Sequence, residues 1–238
     1  MKKVIIVGAT SGLGRGLAEL FAATGFRIGL MGRRTDLLQK LQQGNPEAYV
    51  IKTLDVTDPD RAVALLAELV AELGGLDVLV VSAGTGDLNP GLDFALERPT
   101  IATNVLGFTA VADWAFNWFA AQQAGHLVAI SSIGGLRGSR EAPAYNASKA
   151  YQINYLEGLR QKANRLRLPV FVTDIRPGLV YTAMAKGAGL FWVMPVEKAV
   201  QQIFHAIRRR KKVAYVTRRW RLLAVVVKWM PRVLYDKM

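Results

Sequence analysis

Residues 4–14 read Val4-Ile5-Ile6-Val7-Gly8-Ala9-Thr10-Ser11-Gly12-Leu13-Gly14. Four consecutive apolar residues, three of them flanked by turn chemistry within a few positions, describe a strand buried on both faces. A glycine stops the run, and helical periodicity starts from about Leu13 and continues to Thr24. The glycine spacing is G-x-x-x-G-x-G. Glycine lets backbone pass close to a pyrophosphate, and a helix N-terminus offers free N–H groups and a positive dipole end. Between a strand and a helix, this turn is a candidate dinucleotide cradle, with Gly8, Thr10, Ser11, Gly12, Leu13 and Gly14 as its binding residues.

Working outward, the same alternation repeats. Strands are expected at 27–31, 49–54, 78–82, 125–131, 170–175 and 213–217, and helices near 36–43, 59–73, 100–123, 144–165 and 196–210. Asp58-Pro59 is a helix start, an Asp cap with Pro at the first position. Apolar strands alternating with helices predict an α/β, Rossmann-type, doubly wound parallel sheet covered on both faces. Ligands of such sheets sit beyond the carboxyl ends of the strands. The division expected is a nucleotide-binding domain over 1–217 and a basic amphipathic segment over 218–238.

The chain of 238 residues carries 31 Lys and Arg against 18 Asp and Glu, a formal net charge of +13. That sum suggests nucleic acid or a membrane surface. Its distribution is uneven. Residues 1–204 hold 20 basic and 17 acidic residues, net +3, whereas 205–238 hold 11 basic residues and one acid, net +10. The body is nearly neutral and no nucleic-acid module is visible, so nucleic acid is not the expected partner. With no Cys, disulfides, thiolate metal sites and Cys nucleophiles are excluded, and His126 and His205 fall in no metal-ligand spacing, so no metal is expected. Met1-Lys2-Lys3 and the apolar run after it end at Gly8, too soon for a secretory signal core of roughly 7–15 residues. A cytoplasmic protein is expected.

The end of the second strand speaks to the nucleotide. NAD binders usually place an acid there to accept from the ribose 2′-hydroxyl. Here the stretch is Met31-Gly32-Arg33-Arg34. Arg33 offers a fork of donors to a 2′-phosphate and a plane to stack on adenine, with Ser11 assisting and Arg34 beside it. NADP(H) is therefore expected in preference to NAD(H).

Tyr145-Asn146-Ala147-Ser148-Lys149 puts Tyr and Lys four apart on one helix face, and Ser132 follows the fifth strand. With the glycine turn, Asp55-Val56, Ala83-Gly84, Asn104, Pro177-Gly178 and Thr182, the chain resembles the short-chain dehydrogenase/reductase family over nearly all of residues 1–217. The resemblance implies hydride transfer between a nicotinamide and a carbonyl or secondary alcohol. It implies Tyr145 as proton donor to the alkoxide and Lys149 as the cation that stabilises the tyrosinate and holds the nicotinamide ribose. Ser132 would orient the substrate oxygen. Asn104, through a water, would link Lys149 to solvent. Asp55 and Val56 would meet the adenine, Ala83 and Gly84 would pass beside the cofactor, and Pro177, Gly178 and Thr182 would complete its site. The chain departs from the family in Val7, where Thr is common, and in Ser82, where Asn is usual.

The stretch 179–195 lies where the family builds its substrate lid. It carries Tyr181, Met184, Leu190, Phe191, Trp192, Val193 and Met194, which implies an apolar substrate. Trp114, Phe116, Trp118 and Phe119 lie on the long fourth helix, and relatives commonly assemble as homodimers or homotetramers through it and the Tyr145 helix. In the tail, Leu223, Val226, Val227, Met230, Val233 and Leu234 recur at helical spacing, while Arg221, Lys228 and Arg232 share another face. Trp220 and Trp229 flank the apolar run, and Pro231 breaks it. Such a segment fits an anionic membrane interface, or packing on its own domain or a partner subunit. The expected function is an NADP(H)-dependent oxidoreductase of a hydrophobic, lipid-like carbonyl or alcohol, peripherally attached to the inner face of a membrane. The alternative is an NADP-binding sensor or scaffold without turnover.

Overall fold

The first strand shows how the sequence builds the sheet. In the computed structural model, which describes residues 1–182 and 192–236, β1 spans Lys3–Val7. Its alternate side chains face opposite ways. Ile5 and Val7 enter one core and Val4 and Ile6 the other, all essentially inaccessible to water. The run is continuously apolar because both of its faces are covered.

Six further strands pair with it: β2 (Arg27–Gly32), β3 (Tyr49–Thr53), β4 (Val78–Val81), β5 (Gly125–Ile130), β6 (Val170–Pro177) and β7 (Val213–Val216). All pairings are parallel, in the order β3-β2-β1-β4-β5-β6-β7. The chain winds outward from β1 to β3, then returns to β4 on the other side of β1. The crevice at the carboxyl ends of β1 and β4 is the switch point of this topology.

Helices α1 (Gly12–Ala23), α2 (Thr35–Gly44) and α7 (Val196–Arg208) cover one face; α3 (Pro59–Leu73), α5 (Phe108–Ala121) and α6 (Pro143–Arg165) cover the other. The Asp58 carboxylate caps α3 through the Arg61 N–H at 3.1 Å, as its spacing foretells. Within the fourth helical region the structure differs from the expectation of one helix over 100–123. Helix α4 (Phe94–Ile101) starts early, capped by Asp93 onto the Ala95 N–H at 2.9 Å, and contains Pro99. Residues Ala102–Gly107 then form a π-helical turn before α5. That turn carries Asn104, whose side chain is fully buried.

The tail breaks at Pro231, as the sequence predicts. It divides at Met230-Pro231 into α8 (Arg218–Trp229) and α9 (Arg232–Tyr235). Trp220 and Ala224 are buried against the body, with Leu223, Val227 and Met230 half-buried beside them. Arg137 fastens the end of the segment: its Nη1 donates to the Met230 carbonyl at 3.0 Å and its guanidinium lies 4.2 Å from the centre of the Tyr235 ring. The stripe expected to face one way therefore splits. Leu222, Val225, Val226, Trp229, Val233 and Leu234 point to solvent, Trp229 with 78% of its surface exposed. No helix among the described residues is long and apolar enough to cross a membrane.

Candidate active site

A cavity of about 830 Å³ opens at the switch point. The glycine turn forms its floor. Gly8 and Ala9 N–H groups donate to the Met31 carbonyl at 2.8 and 3.0 Å, and Ser82 and Ala83 N–H groups donate to the Val7 carbonyl, so the turn is pinned to β2 and β4. Gly8 has φ +92°, and a Cβ there would lie 2.5 Å from the Ala83 nitrogen, so no other residue fits. Gly14 does not line the cavity; it packs under the turn, where a Cβ would strike the Gly8 carbonyl oxygen.

Helix α1 points its N-terminus at this cavity with no acid in its first turn. Ser11, the cap residue, makes no side-chain cap; its Oγ instead accepts from Arg34 Nη2 at 2.7 Å. Arg34 also donates to Thr10 Oγ1 from Nη2 at 2.6 Å and from Nε at 3.1 Å. Arg33 is exposed and faces Asp55 at 4.0 Å. The sequence favours Arg33, but it is Arg34 that bridges β2 to the glycine turn. The N-terminus of α1, the cradle at Gly8 and the two guanidinium groups at the end of β2 fit a dinucleotide. Asp55, Val56, Ala83, Gly84, Pro177, Gly178 and Thr182 line the same cavity with Thr10, Ser11, Gly12, Leu13, Arg33 and Arg34.

The chemical groups come from β5 and α6. Ser132, two residues beyond the end of β5, accepts the Gly134 N–H at 3.0 Å, which leaves its own proton for another oxygen. Burial pushes the Tyr145 phenol above its ordinary value, and the Ser132 hydroxyl beside it pulls the other way. Gly86 supports the ring from behind: a Cβ there would lie 2.3 Å from Tyr145 Cδ2. Lys149, 3% exposed, stands one turn along α6 with Nζ 5.9 Å from the Tyr145 ring centre. Burial lowers its pKa to about 8, against the opposing charge of buried Asp174. Asp174 itself accepts from Ser131 Oγ and from Arg176 Nε at 2.7 Å.

Asn104 is wholly committed. Its Oδ1 accepts the Thr85 N–H at 2.9 Å, and its Nδ2 donates to the Thr85 carbonyl at 2.7 Å and to Ser148 Oγ at 3.0 Å. The side chain braces the loop after β4 against α6, behind the cavity wall. Its main-chain carbonyl accepts from Gln152, a residue the sequence reading passes over. Trp220 is the other surprise. The sequence places it in the tail, yet it lines the cavity with Leu88, Ile133, Leu179 and Val180. Tyr181 and Trp192 are exposed near this wall, and the Tyr181 N–H donates to the Met194 carbonyl at 2.9 Å while the Met194 N–H donates to the Leu179 carbonyl at 3.0 Å. Met184, Leu190 and Phe191 lie outside the described residues.

The family model for short chain dehydrogenases matches residues 2–190. This chain is a short-chain dehydrogenase/reductase. It is 36% identical over 218 residues to an uncharacterized oxidoreductase of Mycobacterium tuberculosis strain H37Rv, covering 87% of this chain and 85% of that one. Its fold is similar to that of a short-chain dehydrogenase from Streptomyces avermitilis, with TM-score 0.80 and 24% identity over 100% of this chain and 99% of the other. A structure described as ElxO with NADP bound aligns at TM-score 0.79 and 20% identity, covering 90% of this chain and 96% of that one. Short-chain dehydrogenases are oxidoreductases that use a nicotinamide cofactor.

Proposed function

We propose that this short-chain dehydrogenase is an NADP(H)-dependent carbonyl reductase, reversible as a secondary-alcohol dehydrogenase, acting on a hydrophobic, lipid-like substrate. The observation that carries the reading is the convergence of Ser132, Tyr145 and Lys149 on a cavity whose apolar lining includes Leu88, Ile133, Leu179, Val180 and Trp220. The glycine turn and α1 would hold the diphosphate, Arg33 and Arg34 the 2′-phosphate, and Lys149 the nicotinamide ribose. Bound there, the nicotinamide supplies the hydride. The Ser132 hydroxyl orients the carbonyl oxygen. Tyr145 gives its proton to that oxygen, and the Lys149 ammonium stabilises the tyrosinate left behind. The NADP bound by ElxO supports the choice of nucleotide by likeness of fold, and the two arginines support it by chemistry.

The test is NADPH oxidation against a panel of long-chain ketones and aldehydes. Tyr145→Phe is expected to lower turnover by roughly two to four orders of magnitude, the usual range for general acid catalysis, with NADPH binding retained. Full activity in that variant overturns the mechanism. A scaffold without turnover would bind NADPH and reduce nothing. Arg33→Ala and Arg34→Ala are each expected to weaken NADPH more than NADH.

The outward stripe of α8 and α9 supports attachment to an anionic membrane surface from the cytoplasmic side. Trp229 and five aliphatic residues stand exposed among Arg219, Arg221, Lys228 and Arg232. The same helix supplies Trp220 to the cavity, so an apolar substrate would reach the site from the bilayer. Because removal of the tail also removes Trp220, the useful variant is Leu222→Ser with Trp229→Ser. Co-sedimentation with anionic vesicles is expected in the parent and lost in this variant. Assembly as a homodimer or homotetramer through α5 and α6 has its support in the half-buried, stacked Trp114–Trp118 pair, and light scattering reads the mass directly.

A further inference from the structure

Gln152 lies one turn beyond Lys149 on α6, 1% exposed, with both ends of its amide in use. Its Oε1 accepts from Lys149 Nζ at 2.9 Å, and its Nε2 donates to the Asn104 carbonyl at 2.9 Å. The chemistry of the partners fixes the amide's orientation. An ammonium only donates and a carbonyl only accepts, so the flipped amide would oppose like with like at both ends. Lys149 spends a second N–H on the Ile130 carbonyl at 3.0 Å. Two of its three protons are thus held by fixed acceptors on β5 and α6, and the third is left for the cavity that Lys149 lines.

We propose that Gln152 is a positioning residue of the active site: it clamps the Lys149 ammonium from behind, aims its remaining N–H into the cavity, and ties it to the main chain of Asn104 in the π-helical turn. The inference rests on the reading of Lys149 as a catalytic group. It changes one part of that reading, since a side chain rather than a solvent molecule makes the connection to Asn104. The bond matters because a buried ammonium is stable only while acceptors surround it. The charged and titratable groups around Lys149 are few. Tyr145 lies on its own helix, and Asp174, on β6, is neutralised in part by Arg176, with Arg160 of α6 also directed toward Asp174. Gln152 and Ile130 are the acceptors that touch Nζ directly.

Substitution separates this role from simple packing. Gln152→Leu keeps the volume and removes the acceptor, so the neutral amine gains. Gln152→Glu adds a carboxylate beside Nζ, so the ammonium gains. In the full chain, the Lys149 side-chain resonance, assigned by its loss in Lys149→Met, is titrated by NMR in the parent and both variants. The midpoint is expected near 8 in the parent, about one pH unit lower in Gln152→Leu and higher in Gln152→Glu. The alkaline limb of kcat/KM for ketone reduction is expected to move in the same directions, and kcat in Gln152→Leu to fall about tenfold through loss of alignment. A lower melting temperature with unmoved midpoints means a packing residue only and overturns the proposal. The NMR titration reads Gln152 even if no ketone is turned over, a result that would instead overturn the reductase reading. Should Gln152→Leu fail to fold, Gln152→Met and Gln152→Glu carry the same comparison.

Discussion

The two ends of the parallel sheet each bury a nitrogen base, and they use it differently. At the carboxyl end, Lys149 is held near 8 by burial, opposed by Asp174, and lines the cavity beside Tyr145. At the amino end, His126 is the second residue of β5, 5% exposed, and burial with the nearby Arg210 charge lowers it to about 4. Its Nε2 meets Thr173 Oγ1 at 2.7 Å, and that hydroxyl already donates to the Lys211 carbonyl, so Nε2 carries the proton and gives it to Thr173. Phe171 packs edge-on against the ring. Desolvation moves both bases in the same direction. Only Lys149 stands among groups that can pass a proton to a bound oxygen, so a displaced pKa marks a site only when geometry gives it a recipient.

Breaking the carboxyl-end base has the largest expected effect. Lys149→Met should cost roughly two to four orders of magnitude in kcat/KM. Its melting temperature should stay at or above that of the parent. A lysine lowered from its usual value disfavours the folded state at neutral pH, and that strain is relieved only as pH rises past the folded value toward 10.5. A clear drop in melting temperature would show that the lost hydrogen bonds outweigh the relieved charge.

The amino-end base should act on stability alone. Between pH 6.5 and about 4, the unfolded chain binds a proton at His126 that the folded chain refuses. Stability therefore falls as pH drops through this window and levels off below it, by up to about 3 kcal/mol. His126→Gln, which keeps a donor for Thr173, should flatten that part of the stability–pH curve while leaving kcat at neutral pH unchanged. An unchanged slope would assign the acid sensitivity elsewhere.

Next in size is Gly86→Ala. The added Cβ must displace the Tyr145 ring, and a shift of this kind should lower kcat about a hundredfold with NADPH affinity retained. Smallest is the effect of Leu222→Ser or Trp229→Ser on folding, expected within about 0.5 kcal/mol because neither side chain packs on the body.

Much of the site was legible because its residues sit beside punctuation. The glycine turn, Ser132 after β5 and the Tyr145/Lys149 pair follow from strand ends and a four-residue helix spacing. What escaped reading depends on contacts that span the chain. Arg34 is indistinguishable from Arg33 until Thr10 and Ser11 are brought within reach. Gln152 reads as a polar helix residue until the π-helical turn presents the Asn104 carbonyl to it. That turn is six residues long, too short for its period to separate from an ordinary helix, and Pro99 masks the true start of α4. The tail misled because it is apolar on two faces, and only the body's surface decides that Ala224 turns in and Val225 turns out.

Trp220 rests on Gly178, where a Cβ would lie 2.3 Å from the indole ring, and among the described residues it is the last in sequence to line the cavity. The order of synthesis gives this a consequence. The glycine turn, Ser132, Tyr145 and Lys149 all leave the ribosome before β7 and α8 exist, so the half that handles nucleotide is complete first. The cavity acquires its Trp220 wall only once β7 and the first turn of α8 have been made. A growing chain can thus assemble its machinery for hydride chemistry before it has a closed place for anything to receive the hydride.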